Sequence, residues 1–213
     1  IMSYIKDQLD YTLKSFNIDL GDENYSGKVR ENYYLNDKIV MVTTDRVSAF
    51  DHILGTIPFK GEVLTQIAKF WFEKTKHIAP NHYISNPDPQ VLLTKRAETL
   101  PVEIIVRGYI TGSLWRDYVN GIRDQYGFQI DENLVKDQKF DAPIITPTTK
   151  AEYGEHDEPI SREKIIRNLV DKDIYEKAEK YAMDLFKEGQ NWASTRGLIL
   201  VDTKYEFGII DDE

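Results

Sequence analysis

Three ionic side chains alternate near the end of the sequence, at Asp202, Lys204 and Glu206. If residues 198–208 form a strand, these three side chains share one face at intervals of about 7 Å, and the opposite face is largely apolar. Such a row of carboxylate, ammonium and carboxylate could hold a metal-bound polyphosphate and a second substrate. The alternative is a solvated face of an amphipathic strand, because antiparallel sheets commonly turn one polar face to water.

Arg107 interrupts a mostly apolar run that extends from residue 102 to residue 110 and that also contains Glu103. A buried guanidinium needs an anion, since an unpaired buried charge is costly. Glu103 lies on the same face of the predicted strand and is one candidate partner. The other candidate is a phosphate or carboxylate of a ligand. Ser113 is predicted to cap the following helix, whose first amides would favour the same anion.

A glycine turn opens the first predicted hairpin, at residues 26–30. Gly27 lets backbone amides approach a phosphate, and Lys28 and Arg30 add positive charge. By itself this turn is a weak motif, because it is neither a P-loop nor a dinucleotide fingerprint. After the next strand, Thr43–Asp51 either delivers polar side chains into a cleft or forms a capped turn.

The segment from Asp141 to Pro159 contains three prolines and a cluster of threonines. We expect a long loop, ordered or disordered, and long ordered loops inside domains are usually functional. Hydroxyls at Thr146 and Thr148 and the ammonium of Lys150 suit an anionic small molecule. His156 is interpreted as a hydrogen-bonding residue, because one histidine among carboxylates is a poorly specified metal site.

Composition narrows the class of protein. The chain has 213 residues and a formal net charge of −9, which argues against general attraction to nucleic acid or to anionic membrane. It contains no cysteine, which excludes disulfides, thiolate metal sites and a thiol nucleophile. No segment is typical of a secretory signal or a membrane span, so a cytoplasmic protein is predicted.

The predicted elements are mixed and indicate an α+β fold. Two strands joined by the turn pair Asn36-Asp37 form a hairpin, and a helix covers residues 61–77. The proline-rich residues 86–90 are a candidate hinge that divides the chain into 1–90 and 91–213. Beyond it we expect a strand at 101–110 and one or two helices within 161–189.

Five segments together resemble the SAICAR synthetases, the ligases of de novo purine synthesis, and they occur in that family's order. The segments are GKVRENY, TTDRVSAFD, PVEIIVRGYITGS, TPTTKAEYGEHDE and LILVDTKYEFG. The resemblance spans about residues 27–208 and is greatest to the longer-loop branch of the family. It implies a two-lobed fold, with an N-terminal antiparallel hairpin lobe like the small lobe of protein kinases, a larger C-terminal α/β lobe, and ATP in the cleft between them.

The resemblance also implies the reaction and its participants. ATP, with Mg²⁺ on its phosphates, would drive the joining of L-aspartate to the imidazole carboxylate ribonucleotide, through an acyl phosphate. The partners would be these small molecules, not nucleic acid or membrane, and a homo-oligomer is left open. In such a reaction the protein contributes mainly by positioning the substrates and by stabilising charge, and less by supplying a nucleophile.

Site residues follow from the resemblance position by position. Lys204 would neutralise charge during phosphoryl transfer, Asp202 would orient Lys204 or the waters of the metal, and Glu206 would bind magnesium. ATP would contact Gly27, Lys28, Val29, Arg30 and Glu103. Arg107 and Ser113 would hold the imidazole nucleotide. The pocket for it or for aspartate would be lined by Asp51, Lys150, His156 and Asp157.

The supplied sequence departs from the family after the predicted last strand. Family members continue into a second acidic strand and a TPDSSR-like segment, which bring a further magnesium ligand and an arginine, whereas this sequence ends at Glu213. Two other classes stay open at this point. One is a different phosphotransferase with the same kinase-like hairpin, and the other is a nucleotide-binding module without catalysis.

Overall fold

The computed structural model describes residues 2–20, 23–50, 52–150 and 157–211, and the side chains from residue 5 onward. The chain divides into two compact units, residues 1–97 and residues 98–213. The sequence predicted a division at 90/91 instead. Residues 86–90, interpreted as a hinge, in fact form the end of one strand and the turn to the next within the first unit.

The first unit is built on antiparallel strands, as the hairpin pattern predicted. Its elements are α1 (Met2–Gln8), β1 (Glu23–Ser26), β2 (Arg30–Tyr34), β3 (Lys38–Thr43), β4 (Arg46–Ala49), β5 (His52–Thr56), α2 (Lys60–Thr75), β6 (Tyr83–Asp88) and β7 (Val91–Lys95). Five strands form one sheet in the order β1-β2-β3-β7-β6, and β4 pairs with β5. The glycine turn joins β1 to β2 at one edge of the larger sheet.

Helix α2 confirms the predicted helix, but its buried residues are small or polar. Gly61, Thr65 and Thr75 are buried, whereas Val63 and Ile67 are about half exposed. Gly61 lies so close to β3 that an added Cβ would stand 2.3 Å from the carbonyl oxygen of Thr43. The start of this helix therefore depends on glycine, not on its apolar stripe.

The second unit contains three described helices and a four-stranded sheet, with its buried apolar residues in two clusters. Its elements are β8 (Glu98–Tyr109), α3 (Gly112–Val119), β9 (Lys139–Ile145), β10 (Thr148–Thr149), α4 (Arg162–Asn168), α5 (Lys172–Ser194) and β11 (Asp202–Ile209). Strand β8 is central and pairs antiparallel with β9, β10 and β11. The segment expected to be a long loop therefore supplies two of the strands.

One face of this sheet is buried against the helices. Val102, Ile104 and Val106 of β8 are at most 1% exposed and pack with Tyr175 and Phe186 of α5. Asp171 caps α5 by accepting hydrogen bonds from the amides of residues 173 and 174. Burial of the even-numbered side chains of β8 leaves its odd-numbered side chains on the other face.

Helix α3 has its N-cap position two residues earlier than predicted. Its N-cap position is Thr111, no side chain caps it, and Gly112 adopts a left-handed φ of 58°. The prediction that Ser113 is the N-cap is therefore wrong. No helix among the described residues is long and apolar enough to cross a membrane, and the cytoplasmic location and any homo-oligomer stay predictions.

Candidate functional site

The polar face of the second unit's sheet contains two buried ionic residues of β8. Glu103 is 4% exposed and Arg107 is 6% exposed, and both lie opposite the apolar core face. The sequence explains this placement, because alternate residues of a strand point to opposite faces. A strand that is buried on both faces can carry charge only where each charge has a partner.

Strand β11 brings the alternating ionic row alongside these residues. In the antiparallel register Asp202 lies opposite Arg107, and Glu206 lies opposite Glu103, with Lys204 between them. Side-chain exposure alternates along the whole strand, and the three ionic residues are on its exposed face. The predicted alternation is confirmed, although the strand starts at Asp202 and not at residue 198.

Glu103 is held by two donors from neighbouring strands. The Nζ of Lys204 lies 2.7 Å from its Oε1, and the hydroxyl of Thr148 donates to its Oε2 at 3.1 Å. Lys204 also approaches Asp157, with 3.9 Å between Nζ and Oδ2. Lys204 is thus a half-exposed cation whose position is set by a buried carboxylate.

Arg107 takes different partners from the one that sequence spacing suggested. Its Nε donates to the Thr146 hydroxyl at 2.9 Å, its Nη2 to the Ser113 hydroxyl at 3.3 Å, and its Nη1 to an Asp202 oxygen at 3.4 Å. The suggested Glu103 pairing is wrong, since Glu103 takes Lys204. Thr146, expected to face a ligand, is fully buried and fixes the guanidinium.

The edge of the face carries a more exposed ion pair. The Nζ of Lys150 lies 2.7 Å from an oxygen of Glu206, and the two side chains are 38% and 46% exposed. A pair with this exposure contributes little to stability. Its carboxylate is therefore available to a ligand at modest cost.

This face fits magnesium only together with ligand oxygens. Among the residues that the structure describes, no three carboxylate or histidine side chains group as a metal site. Mg²⁺ in phosphate-transferring proteins is usually held by one or two carboxylates plus phosphates and waters. Glu206, 46% exposed, offers that kind of incomplete donor set, whereas both oxygens of the buried Glu103 are engaged by Lys204 and Thr148.

The glycine turn is a tight connection in the first unit. The amide of Gly27 donates to the carbonyl of Arg30 at 2.8 Å, which closes the loop that contains Lys28 and Val29. Two of the polar residues after β3, Asp45 and Arg46, are buried, at 3% and 7% exposure, and do not line a cleft. Asp45 accepts hydrogen bonds from the amides of Leu13 and Gly61, both at 2.8 Å.

Two predicted substrate contacts, Asp51 and His156, lie outside the described residues. Asp157 is described and belongs to the polar face through Lys204. On the other face of β11, burial raises the pKa of Tyr205 to about 12. That phenol stays neutral at ordinary pH and packs against the core.

Comparison with protein families identifies a family that matches most of the chain. The SAICAR synthetase family profile matches residues 23–213. The phosphoribosylaminoimidazole-succinocarboxamide synthase of Bacteroides thetaiotaomicron is 49% identical over 200 residues, which cover 92% of this chain and 64% of that protein. The synthase of the same name from Legionella pneumophila strain Lens is 46% identical, over 87% of this chain and 61% of its own length. The chain thus spans about three fifths of the length of these relatives.

Solved structures give the same result for the fold. The SAICAR synthase of Saccharomyces cerevisiae, in complex with SAICAR, superimposes with a TM-score of 0.82 at 32% identity, covering 93% of this chain and 72% of that one. A SAICAR synthetase from Pyrococcus horikoshii superimposes with a TM-score of 0.72 at 23% identity, covering 86% and 76%. At that identity the second likeness shows the fold alone.

Proposed function

The chain belongs to the SAICAR synthetase family, and from that premise we propose that it serves the ATP-dependent joining of L-aspartate to 5-amino-1-(5-phosphoribosyl)imidazole-4-carboxylate, giving SAICAR, ADP and phosphate. The family match and the relatives named as synthases support this. One structural observation carries it: Arg107, Lys204, Glu103 and Glu206 lie together on one face of a rigid sheet.

The proposed reaction has two steps. An oxygen of the substrate carboxylate attacks the γ-phosphorus of ATP, the bond to the ADP oxygen breaks, and an acyl phosphate forms. The amine of L-aspartate then attacks the acyl carbon, loses a proton, and expels inorganic phosphate to leave the amide. Both steps concentrate negative charge on phosphoryl oxygens, so cations at fixed positions stabilise the transition states of both steps.

Lys204 is the proposed cation for the phosphoryl group. Its Nζ is anchored on Glu103, so its position is set before any ligand arrives. Preorganised charge of this kind spends no reorganisation energy during the reaction. Asp202 is proposed to orient Lys204 or the waters of the metal. In this structure it contacts Arg107, and it belongs to the same ionic row of β11 as Lys204.

Arg107 and Ser113 are proposed to hold the imidazole nucleotide. Arginine binds phosphate and carboxylate oxygens through a planar fork of donors. The hydroxyls of Thr146 and Ser113 fix the plane of the Arg107 guanidinium. A guanidinium held in one orientation favours specific recognition of the nucleotide. Lys150 and Asp157 lie on the same face, and with Asp51 and His156 they are proposed to complete the pocket for this nucleotide or for aspartate.

Magnesium and ATP complete the proposal. Glu206 would hold Mg²⁺, which supplies charge neutralisation for the phosphates when bound. The turn from Gly27 to Arg30 would cover the ATP phosphates with backbone amides and the side chains of Lys28 and Arg30. Glu103 is proposed to lie near the nucleotide, where it acts through Lys204.

An omission assay tests this function. ADP release is followed with Mg-ATP, the imidazole carboxylate ribonucleotide and L-aspartate, leaving out one component at a time. We expect release only when all three are present, with SAICAR formed in equal amount. Release with another acceptor would indicate a different phosphotransferase, and tight Mg-ATP binding without turnover would indicate a nucleotide-binding module.

A further inference from the structure

A buried arginine lies directly behind the glycine turn of the first unit. Arg46, 7% exposed, donates from Nη2 to the carbonyl of Gly27 at 2.8 Å and from Nε to the carbonyl of Lys28 at 2.9 Å. Its Nη1 donates to the carbonyl of Lys14 at 2.8 Å and also contacts Glu31. The guanidinium is thus hydrogen-bonded to three backbone oxygens and to one carboxylate.

Thr44 holds the next carbonyl of the same turn. This residue is fully buried, and both its amide, at 3.0 Å, and its hydroxyl, at 2.8 Å, donate to the carbonyl of Val29. Three consecutive carbonyls, those of Gly27, Lys28 and Val29, are therefore bound by Thr44 and Arg46. Sequence reasoning missed this role, because residues 44–46 and 27–29 come together only in the folded sheet.

The orientation of these carbonyls sets the orientation of the turn's amides. The described residues contain no cis peptide bond, and in a trans peptide the N–H points opposite to the C=O of the same unit. When the carbonyls of Gly27 and Lys28 point toward Arg46, the amides of Lys28 and Val29 point away from it. Successive amides on one side of a turn form a concavity that binds anions.

We propose that Arg46 and Thr44 are positioning residues that hold the glycine turn in a phosphate-accepting conformation before the nucleotide arrives. The inference rests on the proposed function, since it takes the phosphates of ATP as the ligand of the turn. Glu31 lies against the Arg46 guanidinium and offsets its charge. The contribution of Arg46 is therefore geometric, and the amides and Lys28 supply the attraction.

The first test uses Thr44→Val, which removes the hydroxyl and keeps the branched shape and the amide. Loss of one hydrogen bond that orders the turn predicts a rise of about 3- to 10-fold in the KM for ATP, while kcat and the KM for L-aspartate change little and the thermal midpoint falls by a few degrees. Thr44→Ser is the matched control and should restore the ATP value. A Thr44→Val enzyme with an unchanged KM for ATP would contradict the proposal.

The second test removes the guanidinium with Arg46→Met. The substitution is made in a Glu31→Gln background, so that no buried carboxylate is left unpaired. We expect faster hydrogen exchange of the Lys28 and Val29 amides and weaker Mg-ATP binding, with the affinity for the imidazole nucleotide retained. A folded double variant that binds Mg-ATP as Glu31→Gln alone does would overturn the inference.

These measurements separate the inference from the function on which it rests. If the unmodified protein binds Mg-ATP but makes no SAICAR, the proposed function fails, and the comparison of nucleotide affinities still decides the role of Arg46 and Thr44. If the unmodified protein does not bind Mg-ATP at all, both proposals are wrong.

Discussion

Glu103 and Glu206 lie directly opposite each other on β8 and β11. Like charges at opposed positions are destabilising, and each of these carboxylates has its own lysine, Lys204 for Glu103 and Lys150 for Glu206, both at 2.7 Å. The two pairs differ in burial, because the Glu103 side chain is 6% exposed and that of Glu206 is 46% exposed. Lys204 and Lys150 therefore offer two similar ion pairs that differ in burial, so that substituting each lysine measures the effect of burial.

Lys204→Met should lower both stability and activity. It leaves a buried carboxylate with one neutral donor, Thr148, so we expect the free energy of unfolding to fall by about 1–3 kcal/mol. Lys150→Met, the control, should lower it by less than about 1 kcal/mol, since its pair is exposed. Denaturant unfolding of both variants measures the difference. Equal losses would mean that Glu103 does not depend on Lys204.

Glu206→Gln should weaken magnesium-dependent ATP binding while the fold stays stable. The side chain is on the exposed face of β11, so its change should alter stability by no more than about 0.5 kcal/mol. Loss of one charged contact predicts about tenfold weaker binding. Calorimetric titration with Mg-ATP measures the effect. Collapse of thermal stability with unchanged nucleotide affinity would assign Glu206 to the fold instead.

Arg107→Met should weaken binding of the imidazole nucleotide by about tenfold or more and leave ATP affinity nearly intact. Equal loss of both affinities would mean that Arg107 only completes the core. Because Arg107 is buried, Ser113→Ala provides a milder test at an exposed position. The loss of one hydroxyl contact predicts a rise of about 2- to 5-fold in the KM for this nucleotide, measured by steady-state kinetics.

The sequence predicted the ionic row of β11 because alternation is a local property of a strand. It did not predict the partners of that row, since Lys204 meets Glu103, and Arg107 meets Asp202, only through the register of β8 with β11. Ser113 illustrates a second limit. Its type favours an N-cap, but Gly112 starts the helix earlier and frees the hydroxyl for Arg107.

The first unit should lose stability as the pH falls through about 6.5. Burial, with a smaller contribution from Arg30, lowers the pKa of His82 below its usual value of 6.5. Between the lowered pKa and 6.5 the unfolded chain binds a proton that the folded chain does not, so the free energy of unfolding rises with pH there and is greatest above 6.5. Denaturant midpoints between pH 5 and 8 should show a shallower slope for His82→Gln. An unchanged slope would mean that His82 titrates alike in both states.

Ligand mapping by amide chemical shifts tests most directly whether the polar face of the β8–β11 sheet is the site of the reaction. Adding the imidazole carboxylate ribonucleotide to the labelled protein should shift the signals of residues 103–107, 113 and 202–206. Signals of the opposite side of the second unit, in α4 and α5, should stay in place. Saturable shifts confined to other surfaces, with none on these strands, would contradict the assignment of the site.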